Sequence, residues 1–267
     1  MPITVLITGC SLGSLGDHLA RTFHAHKCRV IATGRNASKL AHFASLGITA
    51  LTLDVLSQES IAACKKEVEI LLNGEPLSIL VNNAGACYVY PIADLNLQLC
   101  REHFDLNVVS YIAVTQAFLP LLIEAKKCGQ TAIIANHTSS AAVFPTPWMG
   151  LYNATKAAAA MLTDTLRLEV EPFGINVVDM RTGIVRSGLA NNEGAGHVGL
   201  PLPGNSVYEF ARERVNQAMT GMNETGCDPK EWAECIVKDI LKKGGPPQRV
   251  WYGRAAKESW FAGRQGL

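Results

Sequence analysis

The sequence predicts an α/β fold in which one doubly wound parallel β-sheet of about seven strands carries helices on both faces. Short apolar runs alternate along the chain with stretches whose apolar residues recur at helical spacing. In LSILVNN (77–83) apolar residues follow one another rather than alternate with polar ones, as expected of strands covered on both sides. No repeat or break in composition divides the 267 residues, so we expect a single domain spanning 1–267.

The individual elements follow from local pattern. ITVLIT (3–8) is rich in β-branched residues and ends at a glycine-rich turn, which is typical of a first strand. SQESIAACKKEVEILL (57–72) has the apolar spacing of a helix. The predicted strands are 3–8, 28–33, 48–54, 77–83, 131–136, 175–180 and 249–252. The predicted helices are 16–25, 38–46, 57–72, 97–126, 150–172, 208–219 and 229–243.

One connection is long for a compact domain. Segment 188–206 is rich in Gly, Asn and Pro, and a helical pattern follows it. Long loops of this kind often close over active sites, so we predict a substrate lid at about 188–220. A plain surface excursion is the alternative.

Charge and cysteine content exclude several classes of function. The formal charge is +1, from 24 basic and 23 acidic residues, which gives no electrostatic case for nucleic acid or an acidic membrane surface. The eight cysteines form no CxxC pair and no short metal-ligand spacing, so we expect reduced thiols, no metal site and a cytoplasmic location. No signal sequence opens the chain and no uninterrupted apolar run reaches about 18 residues, so no transmembrane segment is expected.

The most specific signal for chemistry is Tyr152 and Lys156, four residues apart in LYNATKAAAAM, with Ser139 thirteen residues before the tyrosine. On a helix, positions i and i+4 share a face, so the phenol and the ammonium are expected to point to the same place. A free phenol has a pKa near about 10, and an adjacent cation is expected to lower it. The trio can then move a proton to or from a carbonyl or alcohol oxygen. The alternative for the pair alone is surface packing, and the spacing favours Ser139 over the adjacent Ser140.

The turn TGCSLGSLG (8–16) is a candidate dinucleotide site. Gly9, Gly13 and Gly16 allow a tight turn and close approach of a pyrophosphate to the helix N-terminus. After the second strand, ATGRN has Arg35 and no acid, where an NAD site usually places Asp or Glu. A guanidinium binds a 2′-phosphate, so the sequence favours NADP(H). A solvated surface arginine is the alternative for Arg35.

With these pieces in family order, the chain resembles the short-chain dehydrogenase/reductase family over nearly its whole length. The longer turn and LRLEVEPFGINVV (166–178) are similar to the fungal 1-acyldihydroxyacetone-phosphate-reductase-like branch. The matching features are the turn from Thr8 to Gly16, Asp54-Val55, NNAG (82–85), Asn107, Ser139 and YNATK (152–156). The resemblance implies a Rossmann-like fold and an NADP-dependent oxidoreductase of fungal secondary metabolism.

The resemblance also implies roles for single residues. Tyr152 would be the general acid, Lys156 would lower its pKa and bind the nicotinamide ribose, Ser139 would orient the substrate oxygen, and Asn107 would hold a water in a proton relay. Tyr152 and Lys156 are also expected to contact the cofactor, together with Gly9, Ser11, Gly13, Ser14, Leu15, Gly16, Arg35, Asp54, Val55, Asn82, Ala84, Gly85, Gly183, Ile184 and Ser187. Many members carry Pro-Gly after the sixth strand, whereas this chain has Thr182 before Gly183.

Apolar and aromatic residues flank these positions and favour a ketone on a hydrophobic or aromatic, polyketide-like skeleton, reduced to a secondary alcohol. The candidate pocket residues are Cys87, Tyr88, Tyr90, Val143, Phe144, Trp148, Met149, Leu189, Leu200, Tyr208 and Phe210. The alternatives are an acyl-dihydroxyacetone-phosphate reductase, an epimerase or dehydratase on the same fold, and a non-catalytic NADP(H)-sensing protein. The resemblance implies a homodimer or homotetramer, with the long central helix and the Ala-rich helix at the interface.

Overall fold

The computed structural model describes residues 2–187, 202–220 and 225–256. Their central feature is a sheet of seven parallel strands in the order β3-β2-β1-β4-β5-β6-β7. The strands are β1 Thr4–Ile7, β2 Arg29–Gly34, β3 Thr49–Thr52, β4 Ile79–Asn82, β5 Ile133–His137, β6 Asn176–Thr182 and β7 Arg249–Tyr252. The predicted doubly wound parallel sheet is confirmed.

Helices cover both faces of this sheet, each burying its apolar stripe. The described α-helices are α1 Leu15–Ala25, α2 Gln58–Leu72, α3 Leu97–Phe104, α4 Ser110–Lys127, α5 Gly150–Val170, α6 Arg212–Thr220 and α7 Pro229–Ile240. Helices α1 and α7 pack together on one face through residues such as Phe23 and Trp232. On the other face Val68 of α2, Phe118 of α4 and Val170 of α5 belong to a second buried cluster. Two cores on opposite faces make the fold doubly wound.

Two predicted helices differ from regular α-helix. The stretch predicted at 38–46 is a 3-10 helix, Ala37–Leu46, which Asn36 caps and Gly47 ends in the left-handed conformation. The long helix predicted at 97–126 consists of α3, a π-helical turn at Asp105–Val109, and α4. The π turn holds Asn107, and π-bulges of this kind are common at functional sites.

The same stretch, Leu97–Lys127, is long and apolar enough to cross a bilayer, by length and composition alone. In this fold, however, Val114, Phe118 and Leu122 are buried in the core beneath the sheet. The stretch therefore has the packing of a core helix.

The strand order reverses beside β1, whose neighbours are β2 and β4. In open parallel sheets, ligands bind at such a switch point, outside the carboxyl ends of the strands. The glycine turn follows β1, NNAG starts at the end of β4, Ser139 follows β5 and Gly183 follows β6. The fold thus brings every major motif to one edge of the sheet.

The predicted lid is partly described. Leu202 is buried, and the Ser206 hydroxyl donates to Asp94 Oδ2 at 2.6 Å, next to a 3-10 turn at Glu209–Ala211 and helix α6. Residues 188–201, with the pocket candidates Leu189 and Leu200, lie outside the described residues.

Candidate active site

The glycine turn after β1 depends on glycine at the predicted positions. Gly9 has φ +73°, and a Cβ there would lie 2.8 Å from Ala84 Cα, closer than such contacts occur. A Cβ on Gly16 would lie 2.6 Å from the side-chain nitrogen of Asn83. Gly13, at φ +77°, has no atom of the described residues within 4 Å of the position its Cβ would take. The turn is therefore packed tightly against Asn83 and Ala84 at Gly9 and Gly16, and it is open at Gly13.

The start of α1 offers main-chain donors at this turn. Ser14 is the N-cap: its hydroxyl accepts the Asp17 N–H at 3.1 Å, and its own N–H donates to Ser11 O at 2.9 Å. The first N–H groups of a helix have no partner within the helix. At this cap the N–H groups of Leu15 and Gly16 can bind an anion, and the positive end of the helix dipole also favours a negative charge here.

Sequence reasoning missed Asp17, which holds this turn in place. Its carboxylate is buried and accepts the Gly13 N–H at 2.9 Å, the Arg21 guanidinium at 2.7 Å and His42 Nε2 at 3.0 Å. Burial alone would raise the pKa of Asp17, but these hydrogen bonds and the Arg21 charge hold it below its usual value. The signal that could have revealed Asp17 is its place three residues after a serine N-cap, as in a capping box.

The residues predicted for the adenosine end lie after β2 and β3. Arg35 is exposed and directly follows Gly34, the last residue of β2. Asp54 accepts the Leu56 N–H at 3.1 Å, and Val55 beside it is buried. The two strands are paired, so Arg35 and the Asp54-Val55 pair lie at the same edge of the sheet.

Asn82, at the end of β4, points its side chain into the protein. Its Nδ2 donates to Thr115 Oγ1 at 3.0 Å and to Asn136 Oδ1 at 2.8 Å. The Asn82 side chain therefore ties β4 to β5 and α4, and its predicted contact with a nucleotide would have to come from its main chain.

The NNAG segment is attached to the glycine turn by Thr8. The Thr8 hydroxyl accepts the N–H groups of Asn83 and Ala84, both at 2.9 Å. Asn83 in turn donates its Nδ2 to Thr8 O at 2.8 Å and to Gly9 O at 3.2 Å. The two predicted cofactor segments are thus one rigid unit.

The three predicted catalytic side chains meet at the end of β5. Tyr152 and Lys156 share a buried face of α5, and Ser139 caps the following 3-10 turn. Ser139 lies beside the Tyr152 phenol and donates its hydroxyl to Thr182 O at 3.1 Å, and Lys156 Nζ donates to His137 O at 2.8 Å. The same nitrogen lies 5.7 Å from the ring centroids of both Tyr152 and Tyr111. Helical spacing therefore predicted this arrangement correctly.

The expected direction of the tyrosine pKa is wrong for this structure. Burial raises the pKa of Tyr152, the nearby Cys87 adds to the rise, and the hydrogen bond with Ser139 opposes it. Burial also lowers the pKa of Lys156 to about 8. For both groups the effect of desolvation on the pKa outweighs the attraction between phenolate and ammonium on which the expectation rested.

Asn107 occupies the π turn with its side chain fully buried. Its amide pairs with the main chain of Ala86, at 2.9 Å in each direction, and donates to Thr155 Oγ1 at 3.1 Å. A Cβ on Gly85 would lie 3.0 Å from Asn107 Oδ1 and 3.7 Å from Lys156 Nζ. With the side chain committed to protein partners, the predicted water would have to be held by the main chain of Asn107.

The residues predicted after β6 are less available than expected. The Gly183 N–H donates to Tyr252 O at 2.8 Å, and the Ile184 N–H donates to Arg254 O at 2.9 Å. Each amide has one hydrogen, so a contact of these N–H groups with a nicotinamide conflicts with the pairing to β7 and the residues after it. Ser187 is the last residue described before the gap at 188–201.

The predicted pocket residues mostly gather in one apolar cluster beside Tyr152. Trp148 has φ +69°, which is rare for a bulky residue, and contacts Tyr208 edge to face at 5.0 Å between ring centroids. Phe210 is 88% exposed and lies apart from the cluster, which corrects its assignment. Phe144 is about half exposed at 48%. The predicted members of the cluster are Cys87, Tyr88, Tyr90, Trp148, Met149 and Tyr208, with Leu202 and Val215 added by the structure.

Sequence reasoning also missed a buried histidine at the centre of the site. His137, the last residue of β5, hydrogen-bonds Asn83 on one side and Thr182 on the other. No local pattern marks it, because its partners come from two other strand ends.

Comparisons with known proteins agree with this geometry. The family model for the short chain dehydrogenases matches residues 3–197. A short-chain dehydrogenase/reductase of Pestalotiopsis microspora is 42% identical over 260 residues, 97% of this chain and 87% of that protein. An NADPH-dependent 1-acyldihydroxyacetone phosphate reductase of Schizosaccharomyces pombe is 31% identical over 271 residues, 98% of this chain and 88% of that protein.

Solved structures give the same result. A short-chain dehydrogenase from Streptomyces avermitilis superposes with a TM-score of 0.83 at 26% identity, covering 99% of this chain and 93% of that one. NADPH-bound carbonyl reductase from chicken fatty liver superposes with a TM-score of 0.65 at 27% identity, covering 71% and 82% respectively. The chain therefore belongs to the short-chain dehydrogenase family and is an oxidoreductase.

Proposed function

We propose that the protein reduces a ketone on a hydrophobic or aromatic small molecule to a secondary alcohol, with NADPH as the reductant. The observation that carries this proposal is the meeting of Ser139, Tyr152 and Lys156 beside Gly85, at the sheet edge where the glycine turn lies. An acid, an orienting hydroxyl and a cation at one place are the groups that carbonyl reduction requires.

The residues at this edge fit a dinucleotide. The open face of Gly13 and the amides of Leu15 and Gly16 suit a pyrophosphate, and Gly85 leaves room in front of Lys156. When bound, the reduced nicotinamide would supply the hydride. Lys156 would hold the ribose.

The chain's own contribution is proton transfer and orientation. A raised pKa keeps the Tyr152 phenol protonated at neutral pH, which is the form that donates a proton to a ketone oxygen. Ser139 lies beside the phenol, and its hydroxyl, which donates to Thr182 O in this structure, would turn to donate to the same ketone oxygen.

Arg35 supports the preference for NADP(H). It is exposed at the end of β2, and Asn36 and Ala37 follow it where an acid would repel a 2′-phosphate. The relative from Schizosaccharomyces pombe is described as NADPH-dependent.

The apolar cluster beside Tyr152 supports an apolar substrate, and it includes Tyr90, Trp148, Met149 and Tyr208. The described part of the predicted lid, 202–220, would close over that substrate. Arg212 at the margin of this cluster is paired with Glu209 in a partly exposed ion pair, which a phosphate could break at little cost. Acyl-dihydroxyacetone phosphate, the second candidate, is favoured by the Schizosaccharomyces pombe relative.

Assembly with a second copy is part of the proposal, as is a cytoplasmic location, which the eight free cysteines support. The outer faces of the helices around the π turn and of α5 expose large apolar side chains: Phe104, Val109, Ile112, Met161, Leu162 and Leu168. Helices α3 and α5 contact each other, so these residues can form one surface. Sedimentation of Met161→Glu should show a smaller species than the wild type; equal masses would refute this interface.

The test of the function follows NADPH absorbance with a panel of apolar ketones, using wild type, Tyr152→Phe and the control Tyr252→Phe. The Tyr252 phenol donates to Asp239 Oδ2 and not to the trio, and Tyr252→Phe keeps the main-chain oxygen that accepts the Gly183 N–H, so this change should leave turnover unchanged. We expect Tyr152→Phe to lose at least about a hundredfold in kcat. Equal rates in Tyr152→Phe and wild type would refute the proposed acid.

The same assay separates the other functions. An epimerase or dehydratase would change its substrate without net loss of NADPH. A sensor protein would bind NADPH and consume none with any ketone.

A further inference from the structure

His137 is buried at the centre of the site and its ring is fixed on three sides. Nδ1 lies 2.8 Å from Asn83 Oδ1, Nε2 lies 2.7 Å from Thr182 Oγ1, and the ring stacks on Trp232 with centroids 5.3 Å apart. Its main-chain oxygen accepts Lys156 Nζ at 2.8 Å.

The orientation of the Asn83 amide decides the histidine tautomer. Asn83 Nδ2 faces two carbonyl oxygens, those of Thr8 and Gly9, which can only accept hydrogen bonds. The nitrogen must therefore point to the glycine turn, and Oδ1 must face His137. Because Oδ1 only accepts, His137 Nδ1 carries the proton.

This assignment also decides the direction of the hydrogen bond at Nε2, on the other side of the ring. Burial and the charge of Lys156 lower the pKa of His137 to about 3, so the ring is neutral and its Nε2 is bare. The Thr182 hydroxyl must then donate to Nε2. Thr182 also accepts, at its main-chain oxygen, the hydroxyl of Ser139 at 3.1 Å.

These bonds form one directed chain of donors and acceptors. The Ser139 hydroxyl donates to the Thr182 main-chain oxygen. The Thr182 hydroxyl donates to His137, His137 donates to Asn83, and Asn83 donates to the oxygen of Gly9. This chain of bonds crosses the carboxyl ends of β6, β5, β4 and β1.

We propose that His137, as the neutral Nδ1–H tautomer, is a positioning residue that fixes Ser139 relative to the glycine turn through Thr182 and Asn83. Thr182 has a hydroxyl where many family members have proline, so this bond would supply the rigidity that proline's ring supplies elsewhere. The inference rests on the proposed function, because the orientation of Ser139 matters for turnover of a ketone.

The kinetic test uses His137→Phe, Thr182→Val and the double variant, with Thr182→Ser as the conservative variant. His137→Phe keeps a ring on Trp232 and the main-chain oxygen for Lys156. We expect each single variant to lower kcat roughly tenfold to a hundredfold, since small misplacements have effects of that size. Thr182→Ser should stay within about threefold of wild type because it keeps the donor.

The double variant should be no slower than His137→Phe, because both changes break the same bond. Thr4→Val is the matched control: Thr4 is a buried threonine at the far end of β1, and its hydroxyl has no partner in the described structure. Multiplying losses in the double variant, or Thr182→Ser as slow as Thr182→Val, would overturn the proposal.

Nitrogen-15 NMR of the histidine rings tests the tautomer without any turnover. We expect the shift of a protonated nitrogen at His137 Nδ1 and of a bare nitrogen at Nε2. The Ser139 amide resonance should move in Thr182→Val and not in Thr182→Ser. The reversed tautomer, or an unmoved Ser139 resonance, would overturn the inference even where no ketone is reduced. A wild type that consumes no NADPH but gives the expected spectra would refute the proposed function alone.

Discussion

Replacement of Gly13 by alanine tests the cofactor site with a matched control inside the chain. Gly13 and Gly47 both have positive φ, +77° and +69°, and in the part of the chain that the structure describes a Cβ at either position meets no atom within 4 Å. Gly13→Ala and Gly47→Ala therefore introduce the same backbone strain and no clash. The two glycines differ in location: Gly13 lies in the turn after β1, whereas Gly47 ends the 3-10 helix before β3.

The strain sets the expected stability change. An alanine in the left-handed conformation costs about 1–2 kcal/mol. A domain of this size should lose about 2–4 °C in Tm per kcal/mol. Both variants should therefore melt a few degrees below wild type, and by similar amounts.

The cofactor separates the two variants. A methyl group on Gly13 would occupy space that we assign to the pyrophosphate, and overpacking of this kind costs about 1–3 kcal/mol. That is roughly a tenfold to hundredfold rise in the Kd for NADPH. Gly47→Ala should bind NADPH as wild type does. Calorimetric titration measures both values, and equal Kd values in the two variants would refute the assigned site.

Three further predictions concern charge. Arg35→Ala should raise the KM for NADPH at least about tenfold and that for NADH little; equal changes would refute the 2′-phosphate contact. Because the pKa of Lys156 is lowered to about 8 by burial, the rate of ketone reduction should be flat below that pH and fall above it as the ammonium loses its charge. Burial and the charge of Lys156 lower the pKa of His137 to about 3 in the folded chain, against about 6.5 in the unfolded chain. Between these two pH values His137 binds a proton only in the unfolded chain. Stability should therefore fall as pH drops through this window, and less so in His137→Phe; identical pH dependence of urea unfolding would contradict it.

Periodicity was enough to predict the sheet and the catalytic face. Strands such as Ile79–Asn82 begin with consecutive apolar residues and are buried throughout, and Tyr152 and Lys156 need only a regular helix to share a face. Each of these features depends on neighbours in the chain. The glycine turn was predictable for the same reason, since its positive φ angles restrict the residue type locally.

Features that depend on distant partners were not predictable. The π turn accompanies the pairing of Asn107 with Ala86, 21 residues away, and the His137 bond to Thr182 spans 45 residues. The direction of the Tyr152 pKa was wrong because the burial of the phenol is a property of the packed site. The amides of Gly183 and Ile184 are taken by residues after β6 whose pairing the sequence does not reveal.

The transfer of deuterium from the reduced nicotinamide to the product tests the central claim most directly. NADPH that carries deuterium at both positions of the nicotinamide C4 is mixed with an accepted ketone in a single turnover, and the alcohol is analysed by mass spectrometry. We predict one deuterium on the carbinol carbon with wild type, and almost none over the same time with Tyr152→Phe at an NADPH concentration that saturates both proteins. Unlabelled alcohol from wild type, or labelled alcohol formed equally fast by Tyr152→Phe, would contradict the account.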